Sequence, residues 1–137
     1  QAYNLIPVLS AEENIEYIML LQGLPAAERK QRVQSILNAV GLEGKGNRLP
    51  AQLSGGQQQR VAVARAMVSK PSLILADEPT ANLDSHTGAA LLDMMKELNE
   101  KENMTFIFST HDPKIMERAR RIIRLEDGRI VDDERRD

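Results

Sequence analysis

The 137-residue sequence predicts an α/β fold in which helices cover both faces of a parallel sheet. The first observation is a continuous apolar run from Leu73 to Ala76, as expected for a strand buried on both faces of such a sheet. The second is another apolar strand, Thr105 to Ser109, which follows a helical stretch from about Ser85 to Lys101. Strands that alternate with helices in this way form right-handed crossovers and a layered sheet.

Length and composition indicate one globular domain with its own hydrophobic core. Hydrophobic residues make up 42% of the chain and charged residues 28%, which is ordinary for a globular domain. The net charge of −2 provides no basic field, so we expect no nucleic-acid partner. The lack of cysteine excludes disulfides and thiol catalysis and is typical of a cytosolic protein. The longest apolar run, Tyr17 to Leu21, is far shorter than the ~20 residues of a membrane-spanning helix, so a membrane connection would require a partner.

Two helices are predicted ahead of the sheet. The first follows Ser10, which forms a capping-box sequence with Glu13, and it ends at Gly23. The second begins at Pro25 and stops at Gly41. Apolar residues recur at roughly helical spacing on one face of each helix: Ile15, Ile18 and Met19 on the first, and Val33, Ile36, Leu37 and Val40 on the second.

A third helix is predicted from Ser54, a good N-cap, to about Ser69, where Pro71 prevents its continuation. Its buried side is predicted to consist of Val61, Ala64, Ala66, Met67 and Val68. A short helix capped by Asp112 follows the second strand.

The chain is predicted to finish in a β-hairpin. Strands 121–125 and 129–131 flank an Asp127-Gly128 pair, which favours a tight hairpin turn. We expect the charged tail, residues 132–137, to be frayed.

The start of the third helix has a composition suited to phosphate. Ser54, Gly55 and Gly56 offer a hydroxyl, bare backbone N–H groups and the positive end of the helix dipole. A glycine turn with an N-cap serine is the simpler interpretation of these three residues alone.

Two adjacent carboxylates, Asp77 and Glu78, follow the first strand. An aspartate at this place can hold Mg²⁺, directly or through water, and the next residue faces the position of an attacking water. A pair of carboxylates can also simply cap the following turn, so the pair alone leaves both interpretations open.

Histidine and glutamine add two further candidates. His111 directly follows the second strand in the sequence Ser-Thr-His-Asp, where an isolated histidine is more often structural than catalytic. Gln1 taken alone is a terminal residue, and His86 lies in no recognisable motif.

Three motifs in this order closely resemble those of the nucleotide-binding subunit of an ATP-binding cassette (ABC) transporter. They are Leu53-Ser-Gly-Gly-Gln57 with the following Gln-Gln-Arg60, Asp77-Glu78 with the following Pro79 to Asp84, and His111. The resemblance covers nearly all 137 residues. It implies part of a P-loop NTPase (RecA-like) parallel sheet, joined to the helical subdomain of ABC proteins.

The resemblance also implies a role for each motif residue in binding and hydrolysing ATP. Asp77 and Gln1 would bind Mg²⁺, and Gln1 would also reach the attacking water as a catalytic residue. Glu78 would act as the general base, and His111 would contact the γ-phosphate. Asp84 lies in the D-loop, which crosses the interface of a head-to-tail dimer of ATPase subunits. The remaining motif residues would close over the ATP of the opposite subunit: Ser54, Gly55, Gly56 and Gln57.

The phosphate loop of this family, Gly-x-x-x-x-Gly-Lys-Ser/Thr, does not occur in the 137 residues. It should precede the Q-loop, the segment carrying Gln1, so we expect a C-terminal part of a subunit that begins at the Q-loop. Without this loop, we expect the single chain to be inactive. In the family, the strand that leads into the phosphate loop would lie between strands 105–109 and 121–125. Its absence would leave a gap in the sheet, and we expect strand 121–125 not to move in and close that gap.

Four segments follow from the resemblance: a Q-loop lead-in (1–9), a helical subdomain (10–52), the signature helix with the Walker B half of the ATPase core (53–131) and the charged tail (132–137). The motifs most resemble the lipoprotein-releasing and macrolide-export branch.

One alternative is an ABC-type ATPase of DNA repair or chromosome maintenance, although residues 10–50 lack the sustained heptads of its long coiled coil. Another is a non-catalytic interaction fragment.

A membrane permease is the partner that the resemblance implies. The subunit would lie on the cytoplasmic side of the cell membrane, attached through that permease. We expect the docking surface to combine the mostly apolar segment 3–6, with Leu5 exposed, and the helix carrying Ile15, Ile18 and Met19. The alternative is that these side chains form only the core of the helical unit, and we expect about half of them to do so.

Overall fold

The structure, a computed structural model, describes residues 4–136. Its helices are α1 (Ala11–Leu21), α2 (Ala26–Ala39), α3 (Gly55–Met67), α4 (Ser85–Glu102) and α5 (Pro113–Arg118), with a 3-10 turn at Pro50–Gln52. Its strands are β1 (Leu73–Asp77), β2 (Thr105–Ser109), β3 (Arg121–Glu126) and β4 (Arg129–Arg135). Within these described residues, no helix is long and apolar enough to cross a membrane.

Local sequence determines where α1 and α2 begin and end. The Glu13 amide donates to the Ser10 hydroxyl at 3.2 Å, and the Glu13 carboxylate accepts from the Ser10 amide at 2.9 Å. These two hydrogen bonds complete the predicted capping box. The Ser10 amide, followed by the Ser10 side chain, lowers the pKa of the Glu13 carboxyl. Gly23 and Gly41 adopt left-handed φ values of 77° and 76° just beyond the two helices, which confirms both predicted ends. Pro25 is the N-cap of α2, one residue ahead of the predicted first turn.

The strands form two separate two-stranded sheets. β1 and β2 pair in parallel, from Leu73 opposite Thr105 to Asp77 opposite Ser109, with α4 as their crossover. β3 and β4 pair antiparallel and do not join β2. The predicted α/β class is confirmed, and β3 has not moved to close the expected gap.

In the described part of the chain, one face of the parallel pair is packed against the core and the other is exposed. Ile74 is 8% exposed and belongs to a core that includes residues of α3 and α4, whereas Leu75 and Ile107 are 74% and 51% exposed. Successive strand residues point to opposite faces. A continuous apolar run therefore shows that both faces can be buried, but it does not reveal which segment of the chain buries them.

A single hydrophobic core joins the helical unit to the sheet. Its members include Ile15 and Met19 of α1, Leu37 of α2, Met67 of α3 and Met95 of α4.

On α3 the predicted buried side is right at four positions and wrong at Ala66, which is exposed. Val63 is buried in its place, 8% exposed.

The terminal hairpin is longer than predicted. Asp127 and Gly128 have φ values of 49° and 75°, as a type I′ turn requires, which confirms the turn. β4 continues to Arg135, so most of the expected frayed tail is strand. Its acidic residues face basic residues of β3: Arg121 contacts Asp133 at 2.7 Å, and Arg124 contacts Asp132 at 2.9 Å. These cross-strand pairs favour the extended pairing.

Candidate functional site

Glu78 lies where the backbone leaves β1 in an unusual conformation. Its φ is 46°, in the left-handed region that costs a non-glycine residue roughly 1–3 kcal/mol. Its amide donates to the Ser109 carbonyl at 2.9 Å, which ties this turn to the end of β2. The parallel register therefore positions Glu78 beside the residues that follow Ser109.

The Glu78 carboxylate is held by the two residues after β2. The Thr110 hydroxyl donates to Oε2 at 3.2 Å. His111 contacts Oε1 twice, through its amide at 3.3 Å and through Nδ1 at 2.9 Å. The Glu78 side chain is 25% exposed and that of His111 is 95% exposed, so this group opens to solvent.

The structure thus brings together Glu78 and His111, two of the predicted site residues, across 33 positions of sequence. Thr110 was not predicted. The available signal was its place beside His111 at the end of a parallel strand, where side chains from neighbouring strands converge.

Asp77 is the last residue of β1 and is exposed. In the described residues, no group of three or more His, Asp or Glu side chains could hold a metal ion alone. Mg²⁺ in phosphate-transfer sites is held by one or two carboxylates together with phosphate oxygens and water. Asp77 fits such a site, whereas the Glu78 oxygens are already engaged by Thr110 and His111.

Ser54 caps α3 through a second capping box. Its hydroxyl accepts from the Gln57 amide at 3.1 Å, and its own amide donates to the Gln57 side chain at 2.9 Å. Helix geometry leaves the other first-turn amides without carbonyl partners one turn earlier. Gly55, which is exposed, presents one of them at the positive end of the helix.

Gly56 is buried against α4. A Cβ at this position would lie 2.4 Å from the Thr87 Cγ2 methyl, so only glycine fits without a shift of the Thr87 side chain or of the backbone. Thr87 also donates its amide to the Asp84 carboxylate at 2.6 Å, and its hydrogen bonds lower the pKa of Asp84. Thr87 therefore links two predicted site residues, one at the start of each helix.

The segment from Pro79 to Asp84 is held from two sides. The Gln59 side chain of α3 donates to the Pro79 carbonyl at 2.6 Å, and the Thr80 hydroxyl donates to Asp112 at 3.2 Å. Gln59 and Thr80 lie within the quoted motifs, but no contact was predicted for either, because their partners are 20 and 32 positions away in the sequence. Gln1 lies outside the described residues.

A groove of about 500 Å³ lies between α1 and α3. Tyr17 and Leu21 border it and are 45% and 67% exposed. Leu5 was expected to be exposed in the docking surface and is placed differently, whereas about half of the side chains of that surface were expected to belong to the core. Ile15 and Met19 are fully buried in the core, and Leu5 is half-buried against it.

Comparison with known proteins places these features in one family. The model of that family, described as "ABC transporter", matches residues 1–81. An uncharacterized ABC transporter ATP-binding protein of Thermotoga maritima is 48% identical over 136 residues, which are 99% of this chain and 58% of that protein. The macrolide export ATP-binding/permease protein MacB of Sodalis glossinidius is 47% identical over 137 residues, which are 100% of this chain and 21% of that protein.

A solved structure agrees with the sequence comparisons. It is a dimeric post-hydrolysis state of the ATP-binding cassette MJ0796 bound to ADP and Pi, with a TM-score of 0.82 and 42% sequence identity. The match covers 98% of this chain and 60% of that one. The chain therefore spans little more than half the length of these single-cassette relatives. By sequence and by fold, it belongs to the ABC transporter family.

Proposed function

We propose that this chain is the catalytic half of an ATP-hydrolysing subunit that drives an ABC transporter. The single observation that carries this proposal is the contact of Glu78 with Thr110 and His111 at the adjacent ends of β1 and β2. ATP would be the substrate and Mg²⁺ the metal. The named relatives include macrolide and pyoverdine export proteins, which supports an export transporter.

In the proposed reaction, Glu78 accepts a proton from the water that attacks the γ-phosphate. Its two oxygens are oriented by donors from the end of β2, so the carboxylate is fixed before substrate arrives. Asp77 would hold Mg²⁺, which neutralises charge on the phosphate oxygens. His111, exposed beside Glu78, would contact the γ-phosphate.

A second subunit would complete the site. Gly55 and the end of α3 would close over the ATP of the opposite subunit, with Asp84 at the interface between the two. The dimeric form of the structural relative supports this arrangement. The groove between α1 and α3 would receive the permease, which would hold the subunit at the inner face of the cell membrane.

DNA repair or chromosome maintenance has less support. α1 and α2 are 11 and 14 residues long and pack into the same core as α3, unlike the arms of a long coiled coil.

The experiment that tests the proposal uses the protein that carries this chain together with a phosphate loop. Glu78→Gln keeps the shape of the side chain but cannot accept the proton. We expect Mg²⁺-dependent ATP hydrolysis to fall at least about a hundredfold while ATP binding persists. Gel filtration with ATP should show a trapped dimer. An unmodified protein without Mg²⁺-dependent ATPase activity would refute the proposed function.

Ser54→Arg separates closure from chemistry, because it places bulk and charge where phosphate approaches α3. We expect a monomer on the same column with ATP. Ser54→Ala is the matched control, since it removes the cap at a cost of about 1 kcal/mol but adds no bulk. If both Ser54→Arg and Glu78→Gln eluted as dimers, the assigned role of the α3 start would be wrong.

A further inference from the structure

Asn14 is a buried polar residue that the proposed function does not yet use. It lies in α1 with 1% of its surface exposed, next to the buried core residue Ile15. Burying a side-chain amide is costly unless its donors and acceptor are satisfied. In the second turn of a helix, an asparagine also has lower helix propensity than leucine or alanine. Its position therefore calls for a structural reason.

That reason is the part of the lead-in that the structure describes, residues 4–9. Asn14 Oδ1 accepts from the Ile6 amide at 2.7 Å, and Nδ2 donates to the Ile6 carbonyl at 3.1 Å. Nδ2 also donates to the carbonyls of Leu9 and Ser10, each at 3.0 Å. Because the amide binds both backbone groups of Ile6, it fixes the orientation of that residue as well as its position.

The same contact adjoins the groove between α1 and α3. Ile6 and Asn14 both line this groove. On its far side, Arg65 of α3 donates to the Asn4 carbonyl at 2.8 Å. The lead-in is therefore attached to both helices that form the groove, and a ligand that separates them would pull directly on it.

We propose that Asn14 is a positioning residue that couples the groove to the reaction centre. It holds the lead-in on α1, and the lead-in continues directly to Gln1. This inference rests on the proposed function, in which the groove receives the permease, and on the role at the metal and water that the family resemblance implies for Gln1.

The contact itself is tested without any activity, by amide hydrogen exchange on the whole protein that carries this chain. In Asn14→Leu the Ile6 amide loses its acceptor, and we expect it to exchange roughly tenfold faster or more. The amides of Ile15 and Met19 should keep their protection, because α1 remains packed. Asn38→Leu, at an exposed position on α2, is the matched control and should leave Ile6 unchanged. Unchanged protection of Ile6 in Asn14→Leu would overturn the proposal.

The coupling is tested by kinetics on the same variants in the presence of the permease. In Asn14→Leu we expect kcat to fall about tenfold while the KM for ATP stays within about twofold, because the lead-in positions water and metal rather than nucleotide. The ratio of permease-stimulated to basal ATPase should fall as well. Asn14→Ser, whose hydroxyl still donates and accepts, should restore part of kcat and provides a second variant if Asn14→Leu does not fold.

The outcomes separate the two proposals. Faster exchange at Ile6 with unchanged kcat and stimulation would make Asn14 merely structural and overturn the coupling. A raised KM with unchanged kcat would overturn it too. No ATPase activity in the unmodified protein would refute the proposed function instead, and the coupling with it, while the exchange result would still report the contact.

Discussion

Thr87 shows how one residue serves two predicted site residues at once. Its hydrogen bonds bind Asp84, which caps α4, and its methyl group leaves no room for a Cβ on Gly56. A glycine that the sequence assigns to phosphate contact is thus also required for packing. A substitution of Gly56 would therefore change two properties, and only a paired change at Thr87 can separate them.

The pKa of Asp84 provides a pH-dependent prediction. Its side-chain hydrogen bond with Thr87 lowers this pKa, and the Thr87 amide lowers it further. Since the pKa in the folded state lies below that in the unfolded state, the contribution of Asp84 to stability is complete above the ordinary value of 3.8. It is lost as the pH falls through the lower folded value.

Carbon-detected NMR titration of the Asp84 carboxyl would measure this effect. In Thr87→Val, which removes the hydroxyl but keeps the branched shape, the pKa should rise toward its ordinary value. Asp133, whose pKa is lowered by its hydrogen bond with Arg121 on the hairpin, does not contact Thr87 and should titrate identically in both proteins. An unchanged Asp84 titration would show that the hydroxyl bond is not formed in solution.

Sequence patterns predict a residue well when the signal is local. Ser10 was assigned as a cap because Glu13 completes a capping box, and Ser54 because serine is a favoured N-cap residue. Thr110 was not predicted as a site residue because its partner Glu78 is 32 positions away, and a threonine after a strand is common. Asn14 gave a signal that went unused, since it is an asparagine on the apolar face of a predicted helix.

At the level of helices and strands, the contact between the starts of α3 and α4 can be tested by a double-mutant cycle. Gly56→Ala should destabilise the protein by about 1–3 kcal/mol, because the new methyl overlaps Thr87 Cγ2. Thr87→Ser removes that methyl and keeps the hydroxyl bound to Asp84. The double variant should therefore recover most of the loss, as measured by urea unfolding. Purely additive losses would mean that the overlap is not the cause.

The groove between α1 and α3 gives a second prediction at this level. Leu21→Asp places a charge at its border, and in the complete transporter it should reduce transport at least about tenfold while basal ATPase activity persists. Leu20→Asp is the matched control. This leucine neighbours Leu21 on α1 and is 51% exposed, but it does not line the groove. Equal transport by the two variants in vesicles would contradict permease docking at the groove.

Element boundaries were predicted more accurately than element surroundings. The bounds of β2 match the prediction in full, because apolar runs and turn residues define them locally. The apolar run gave no indication of the 74% exposure of Leu75, because it does not reveal which segment of the chain covers each face. The prediction failed at β4, where a run of charged residues was interpreted as a tail although each acidic side chain faces an arginine of β3.

For the whole molecule, the main feature is that both two-stranded sheets expose apolar side chains and unpaired edges. Exposed apolar residues lie on both sheets: Leu73, Leu75 and Ile107 on the parallel pair, and Ile123, Leu125, Ile130 and Val131 on the hairpin. β2 and β3 also present edges that are unpaired among the described strands. Such edges and faces readily pair with other chains.

We therefore expect the 137-residue chain alone to self-associate and to show no ATPase activity. Sedimentation velocity should detect species larger than 15.3 kDa, and a coupled assay should detect no phosphate release. Adding a separate polypeptide with the phosphate loop and its strands should shift the chain to a defined complex. A compact monomer that melts cooperatively, or Mg²⁺-ATPase activity from the chain alone, would contradict this prediction.

The separation of the two sheets also has a consequence in time. β3 and β4 are joined by a two-residue turn, and hairpins of this kind form in about 1–10 μs. β1 and β2 are separated by the whole of α4, so their pairing requires a longer loop to close. On dilution from denaturant, the last strands of the sequence should become protected first and the catalytic pair later. Pulsed hydrogen-exchange labelling would resolve the two steps, and simultaneous protection would mean that the sheets fold as one unit. The glutamate and histidine of the site would then come into contact only in the slower step, after the terminal hairpin, which contains neither residue, has already formed.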